Sequence, residues 1–116
     1  MFLSEDGGPN WAKNNVDAPI LVSDDGAEFF KQPMYYILAH FSKYLRPGAV
    51  RVELQGTFKS DPQIVAFTNL GLEGFEYLLI IQNRLDRTKT FLVQVDGSSK
   101  SLKVQLEENS VATLLF

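Results

Sequence analysis

The hydrophobic residues between positions 31 and 45 recur with the spacing of an amphipathic helix. Pro33 suits the first helical turn, because an N–H at that position has no partner within the helix. Pro47 and Gly48 supply a stop signal after the run. The apolar side of the helical wheel carries Met34, Ile37, Leu38, Phe41, Tyr44 and Leu45, and the opposite side carries Tyr36, His40 and Lys43. The pattern predicts one helix whose apolar side faces a core.

The residues before this helix form a loop rich in Gly, Pro and Asn, followed by a short extended stretch at 18–22. Asp25, with Glu28 three residues later, fits an acidic variant of a helix start signal. We therefore expect Phe29 and Phe30 to begin a helical turn that Pro33 continues or kinks.

After Gly48 the hydrophobic period changes from that of a helix to two, which is typical of half-buried strands. Strands are predicted at 50–54, 63–68, 74–82, 90–95, 102–106 and 111–116. The strand at 74–82 is apolar on both sides and should be interior. The segment 96–99 has the composition of a hairpin turn. Regularly spaced short strands predict an antiparallel sandwich.

Composition narrows the classes of function. The chain has 116 residues, 45% of them hydrophobic and 22% charged, which is ordinary for one globular domain. The net charge is −3 and the basic residues are scattered, so no nucleic-acid partner is expected. There is no cysteine and only one histidine, His40, so we expect no metal site and no cofactor. His40 is expected to pack or hydrogen-bond structurally, while a pH-sensing role is conceivable.

Four motifs carry a resemblance to a known family. They are Gly7-Gly-Pro-Asn-Trp11, Asn14-Asn-Val-Asp-Ala-Pro19, Lys31-Gln-Pro-Met-Tyr-Tyr36 and Ala39-His-Phe-Ser-Lys-Tyr44. In their order and approximate spacing they resemble the carboxy-terminal part of the glucosylceramidases, the acid β-glucosidases of glycoside hydrolase family 30. The likeness is strongest from residue 7 to residue 51 and becomes a general strand-by-strand similarity after that.

The resemblance implies an α+β, mainly β fold with two parts. Residues 1–48 would be the last crossover and helix of a (β/α)8 barrel, and residues 49–116 an incomplete antiparallel β-sandwich. It implies retaining hydrolysis of the β-glucosidic bond of glucosylceramide, in a lysosomal or secreted enzyme. An activator protein and a membrane-surface lipid are the further partners that it implies. Residues 1–6 are too short and too acidic for a signal peptide, so we expect an amino-terminal part to be missing.

The chain is not expected to contain the catalytic residues. Retaining glycosidases need two carboxyl groups about 5–5.5 Å apart, and in the family that this chain resembles both glutamates lie on earlier strands. The acidic residues receive structural roles instead. Asp24, Asp25 and Glu28 belong to the expected helix start, Asp17 is expected to accept backbone N–H bonds in its loop, and Glu107 and Glu108 are expected in a turn. The isolated chain is therefore predicted to be inactive.

Asn14 is the one residue that the resemblance implies to lie near the substrate, since it matches a family asparagine whose loop lines the glucose pocket. An amide can donate to and accept from sugar hydroxyls. Asn14 could equally stabilise its loop without contacting a ligand, and both interpretations stay open. Asn15 departs from the aromatic residue that the family generally has there. Trp11 is expected to anchor the loop, with stacking on a sugar or a lipid as the alternative.

Two alternatives to the enzyme-fragment interpretation remain. One is a standalone β-sandwich module that binds sugar, lipid or protein, and the other is a truncated chain that pairs with the full-length enzyme. Phe2, Leu3 and Phe116 are expected to be exposed hydrophobic residues near the chain ends, with their partners in absent sections of the same fold.

Overall fold

The structure, a computed structural model, describes residues 2–7, 16–56, 63–68, 71–99 and 101–116. The chain divides into two compact units, Met1–Lys43 and Tyr44–Phe116. The first unit contains β1 (Phe2–Ser4), β2 (Ile20–Val22), β3 (Phe29–Lys31) and α1 (Pro33–Ser42). The second contains β4 (Val50–Val52), β5 (Gln63–Thr68), β6 (Tyr77–Asn83), β7 (Lys89–Gln94), β8 (Ser101–Leu106) and β9 (Ser110–Leu115). The fold is mainly β with one described helix, as the sequence predicts.

The sheet of the first unit has the order β1-β2-β3, with β1 parallel to β2 and β3 antiparallel to β2. The helical turn expected at Phe29 and Phe30 is wrong, because both residues lie in β3. The chain reverses between β2 and β3, which places Phe29 opposite Val22. The expectation of a loose, exposed Leu3 is also wrong, since Leu3 pairs with Leu21 and is half-buried.

Helix α1 begins at Pro33, so the predicted first-turn position of the proline is confirmed. The preceding Gln32 has extended backbone angles and makes no side-chain cap bond. The helix ends at Ser42, where the Lys43 N–H donates to the Ala39 carbonyl at 3.1 Å. The predicted stop residues form a separate turn beyond this end of the helix.

The prediction that the apolar side of α1 faces a core is wrong within the described chain. No residue of α1 is buried. Four apolar side chains of that side, Met34, Ile37, Leu38 and Phe41, are between 36% and 54% exposed. The half-buried positions of α1, Tyr35, Ala39 and His40, lie around the rest of the helix. The described residues leave the apolar side open to solvent.

The second unit is a β-sandwich of a four-stranded and a two-stranded sheet. The larger sheet has the order β4-β5-β6-β9 with every pair antiparallel, and β7 pairs with β8. The predicted strand at 63–68 is confirmed residue for residue. The predicted strand at 74–82 begins three residues later, because Gly74 adopts a left-handed φ of 82° in the preceding turn. The hairpin turn at 96–99 is confirmed between β7 and β8.

Strand β6 is buried on both of its sides, which confirms its predicted interior position. Leu79 and Ile81 pack between the two sheets, while Leu78 and Ile80 pack on the other side of the large sheet. The buried partners between the sheets are Ala66, Val104 and Leu106. The partners on the other side are half-buried and include Tyr44, Leu45, Ala49 and Leu72. A fully buried aliphatic side chain contributes about 1.5–3 kcal/mol, so β6 supplies much of the stability of this unit.

Asn83, the last residue of β6, forms a buried group of hydrogen bonds, which we term the Asn83 node. Its side chain is 1% exposed, and its amide donates to the carbonyls of Arg87 at 2.9 Å and Glu107 at 2.8 Å. Its Oδ1 accepts the N–H of Leu85 at 3.2 Å. Every polar function of this side chain is therefore paired, as burial requires. The node joins the loop after β6 to the turn after β8.

The expectation that the Phe116 side chain is exposed at the chain end is wrong. The ring is half-buried and stacks on Tyr77, with 5.7 Å between the ring centroids. The Phe116 carbonyl accepts the Tyr77 N–H at 2.9 Å, and the Phe116 N–H donates to the Tyr77 carbonyl at 3.1 Å. Pairing with β6 thus continues beyond the end of β9 and holds the residue in place.

Replacement of Asn83 by alanine should destabilise the second unit strongly. Asn83→Ala removes the amide that donates to the carbonyls of Arg87 and Glu107 and the oxygen that accepts the Leu85 N–H, and we expect the free energy of unfolding to fall by about 2–3 kcal/mol. Urea unfolding followed by circular dichroism measures the loss. The matched control is Gln105→Ala, an amide on the exposed side of β8, which should cost less than about 0.5 kcal/mol. Equal effects of the two substitutions would contradict the role of the node.

Candidate functional site

The loop between β1 and β2 is the region to which the resemblance assigns substrate contact. Asn14, Asn15 and Trp11 lie in this loop but outside the described residues. The placement of Asn14 beside a substrate therefore stays a prediction. The structure describes both ends of the loop, where it leaves β1 and where it enters β2.

Both ends of the loop are fixed by short-range hydrogen bonds. At the first end the Gly7 N–H donates to the Ser4 carbonyl at 2.9 Å, and Gly7 takes a left-handed φ of 76°. At the second end Asp17 Oδ1 accepts the Ala18 N–H at 2.8 Å. The predicted loop-holding role of Asp17 is thereby confirmed, and Ala18 beside it is fully buried. The backbone is therefore hydrogen-bonded locally at both described ends of the loop.

A cavity of about 380 Å³ lies where β1 and β2 end. Because these strands are parallel, their carboxyl ends share one edge of the sheet, which is where parallel sheets commonly place ligand sites. The lining residues are Leu3, Ser4, Val22, Ser23, Asp24, Asp25 and Gly26. Its volume lies within the range of small-molecule sites, and the cavity is the candidate site of the first unit.

Asp25 is held by the turn that lines this cavity. The Ser23 hydroxyl donates to Asp25 Oδ1 at 2.6 Å, and the Ala27 N–H donates to the same oxygen at 3.0 Å. The Ser23 hydroxyl first, and the Ala27 N–H second, hold the pKa of the Asp25 carboxyl below its usual range. A general acid at a glycosidic bond needs a raised pKa, so Asp25 is suited to closing the turn and unsuited to donating a proton.

The helix start expected at Asp24, Asp25 and Glu28 is wrong, because these residues form the reversal between β2 and β3. Ser23, which was not predicted to have a role, organises this reversal. Its hydroxyl oxygen also accepts the Glu28 N–H at 3.0 Å, and its own N–H donates to the Glu28 carbonyl at 3.1 Å. The sequence Ser-Asp-Asp-Gly carried a usable signal, since serine and aspartate before glycine favour turns through side-chain bonds to the backbone.

Two carboxylates of the second unit also accept hydrogen bonds from neighbouring side chains. Glu107 Oε2 accepts the Thr88 hydroxyl at 3.0 Å, and Asp86 Oδ1 accepts the Asn109 amide at 2.9 Å. The predicted turn at Glu107 and Glu108 is confirmed between β8 and β9.

Among the described residues, no three His, Asp or Glu side chains gather as a metal site. Within the same residues, no helix has the length and apolar character needed to cross a membrane.

A second cavity, of about 450 Å³, lies in the sandwich between the segment after β4 and the β7–β8 hairpin. Its polar side chains are Glu53, Gln55, Gln94 and Asp96, and among the described residues no aromatic ring lines it. All four are exposed, so the cavity is an open polar depression that offers hydrogen bonds.

Comparison with known proteins gives consistent similarities. The profile of the glycosyl hydrolase family 30 TIM-barrel domain matches residues 1–45. The chain is 34% identical over 118 residues to putative glucosylceramidase 3 of Caenorhabditis elegans, covering 100% of this chain and 22% of that protein. It is 47% identical over 66 residues to lysosomal acid glucosylceramidase of Mus musculus, covering 57% of this chain and 13% of that protein.

Among solved structures, the chain resembles SrfJ from Salmonella typhimurium with a TM-score of 0.84 and 29% identity. The similarity covers 99% of this chain and 24% of that one. The chain therefore spans about a fifth to a quarter of the length of the relatives that it matches end to end. Both units share in these full-length similarities.

Proposed function

Because this chain belongs to glycosyl hydrolase family 30, we propose that it forms the carboxy-terminal part of a lysosomal-type glucosylceramidase. The whole enzyme would hydrolyse the β-glucosidic bond of glucosylceramide to glucose and ceramide. The observation that carries the proposal is the 47% identity over 66 residues to a lysosomal acid glucosylceramidase. The family itself makes the protein a glycosidase by class.

In this proposal the first unit contributes one edge of the sugar pocket. Asn14 donates to and accepts from the hydroxyls of the glucose ring. This role is supported by the resemblance to the family and by the hydrogen-bonded backbone at the described ends of the loop, Gly7 and Asp17. The first cavity lies at the same edge of the sheet as the start of this loop.

The acid and the nucleophile come from a part of the enzyme outside these residues. Retention requires two carboxyl groups about 5–5.5 Å apart, one protonated and one ionised. Asp25 closes a turn by accepting hydrogen bonds from Ser23 and Ala27, and Asp86 and Glu107 each accept a hydrogen bond from a neighbouring side chain. These commitments support a scaffold role for the chain, and the isolated chain should not catalyse hydrolysis.

The proposal extends to location and partners. A lysosomal setting is supported by the name of the mouse relative. The substrate carries a ceramide tail, so the enzyme would act at a membrane-surface lipid, and an activator protein would present the substrate. As part of that enzyme, this chain would be located in lysosomes.

The purified chain should show no β-glucosidase activity. Incubation with a fluorogenic β-glucoside should release dye at the rate of the buffer control, because the chain supplies neither carboxyl of the catalytic pair. Mouse lysosomal acid glucosylceramidase under the same conditions serves as the positive control. Turnover above the buffer control by the chain, abolished by substitution of one of its own carboxylates, would overturn the scaffold proposal.

The role of Asn14 can be tested in a chimera that joins this chain to the preceding part of the mouse relative. Asn14→Ala should lower kcat/KM for the fluorogenic glucoside by about tenfold, because one lost hydrogen bond to the sugar is worth about 1.5 kcal/mol. The matched control is Asn15→Ala, one position further along the loop, which should stay within about twofold. Unchanged kinetics in Asn14→Ala would assign this residue to loop structure alone.

A further inference from the structure

The cavity of about 450 Å³ in the β-sandwich, which we term the sandwich depression, lies between the segment after β4 and the β7–β8 hairpin. A cavity of this volume is large enough for a small-molecule ligand. Its described lining residues all belong to the second unit. Four of them have polar side chains, Glu53, Gln55, Gln94 and Asp96, and the proposed function uses none of them. The chemistry of these side chains indicates what the depression can bind.

Most polar side chains of the sandwich depression are available to a ligand. Within the described part of the chain, no hydrogen bond or ion pair occupies Glu53, Gln55 or Asp96. The two carboxylates of this set thus differ from Asp86 and Glu107, which accept hydrogen bonds from neighbouring side chains. An exposed polar side chain without a protein partner is hydrogen-bonded to water, and a ligand with hydroxyl groups can replace that water.

The hairpin side of the depression has a shape that local hydrogen bonds fix. The Ser98 N–H donates to the Val95 carbonyl at 3.0 Å. The Gln94 side-chain amide donates to the Ser98 carbonyl, which orients this side chain and leaves its Oε1 as an acceptor. Beside them Gly97 has a left-handed φ of 77°, and a Cβ added there would meet no heavy atom within 4 Å. The space next to the turn is therefore open, and a preorganised turn lowers the entropic cost of binding.

The depression offers hydrogen-bond donors, acceptors and a small apolar surface. Gln55 can donate through Nε2 and accept through Oε1, whereas the carboxylates of Glu53 and Asp96 accept. A sugar hydroxyl both donates and accepts, so it matches such a mixed set. Leu54 also lines the depression and is 37% exposed, which provides an apolar contact for the C–H groups of a sugar ring. Small-molecule sites commonly combine apolar contacts with a few polar groups that fix orientation.

We propose that the sandwich depression is a carbohydrate-binding site whose ligand class is neutral oligosaccharides. Glu53, Gln55 and Asp96 hydrogen-bond to the sugar hydroxyls, and Leu54 contacts the C–H groups of the ring. Because the protein is a glycosidase by class, glycans are present where it acts. The proposal goes beyond the proposed function, since it concerns binding by the second unit and involves no bond cleavage.

A cationic ligand fits the depression less well. Calcium takes about six to eight oxygen ligands, and among the described residues no three His, Asp or Glu side chains gather. The Gln55 Nε2 donor has no role at a metal ion. A basic peptide would likewise pair with the carboxylates of Glu53 and Asp96 and leave the amide donor unused.

Titration of the ¹⁵N-labelled chain with cellobiose, a neutral disaccharide, tests the proposal by nuclear magnetic resonance. We expect saturating shifts of the backbone amides of 53–55 and 94–97, with a Kd in the millimolar range. Glu53→Ala combined with Gln55→Ala should raise this Kd at least about fivefold, because two hydrogen-bonding side chains are lost. The matched control is Gln105→Ala, an exposed amide on β8, which should leave the Kd unchanged. Since all three substituted side chains are exposed, the circular dichroism spectra should stay the same.

Parallel titrations with glycerol and with calcium chloride identify the ligand class. Saturation by cellobiose that glycerol does not reproduce, and that the double variant weakens, supports the carbohydrate site. The absence of saturating shifts up to about 100 mM cellobiose, or a Kd that the double variant leaves unchanged, overturns it. Equal shifts with glycerol would indicate a general response to polyols, and saturation by calcium alone would indicate a cation site; either result also overturns the proposal. Every readout is binding without hydrolysis, so its failure is distinguishable from a failure of the proposed function.

Discussion

The burial of β6 on both of its sides is the constraint on which the second unit depends. A strand that is apolar on both sides can be covered only if structure lies above and below its sheet. The β7–β8 sheet provides one cover, and the segment from Tyr44 to Ala49 with Leu72 contributes to the other. The order of the strands follows from this need, since β6 must have a neighbour on each edge as well, and β5 and β9 supply them.

Both units contain elements with a regular hydrophobic pattern, but the apolar side chains are buried in the second unit and exposed on the helix of the first. In the second unit, Leu78 and Ile81 are fully buried by residues of the unit itself. In the first unit, Met34, Ile37, Leu38 and Phe41 follow an equally regular period, yet their side chains remain exposed. Periodicity states which side of an element is apolar, but it does not state whether the described chain contains the surface that covers that side.

The elements that the sequence predicted well are those with strong local signals. The prediction of β5 matched at both ends because a short continuous apolar run is bounded by turn residues. The predicted start of α1 matched because proline favours the first helical turn, where a backbone N–H has no partner within the helix. The three-residue strands β1 and β3 were missed because so short a run shows no period. Their existence depends on pairing with β2, which is not a local property.

Polar side chains were harder to predict than apolar ones, for a physical reason. Asn83 at a strand end fits an ordinary loop residue, and only the fold brings the Glu107 carbonyl, 24 positions away, to its amide. Aspartate favours helix starts, but the Ser23 hydroxyl donates a hydrogen bond to Asp25 and holds it in a turn. Asn14 rests on resemblance to a family, because no local rule distinguishes a sugar-binding amide from one that holds a loop.

Hydrogen exchange of the isolated chain tests most directly the central claim that the second unit contains its own core while the first leaves its apolar helix surface uncovered. Amides of β6 should exchange at least about 100-fold more slowly than those of α1, because exchange in α1 requires only local opening whereas β6 requires loss of the core. Equal protection of α1 and β6 would contradict the account.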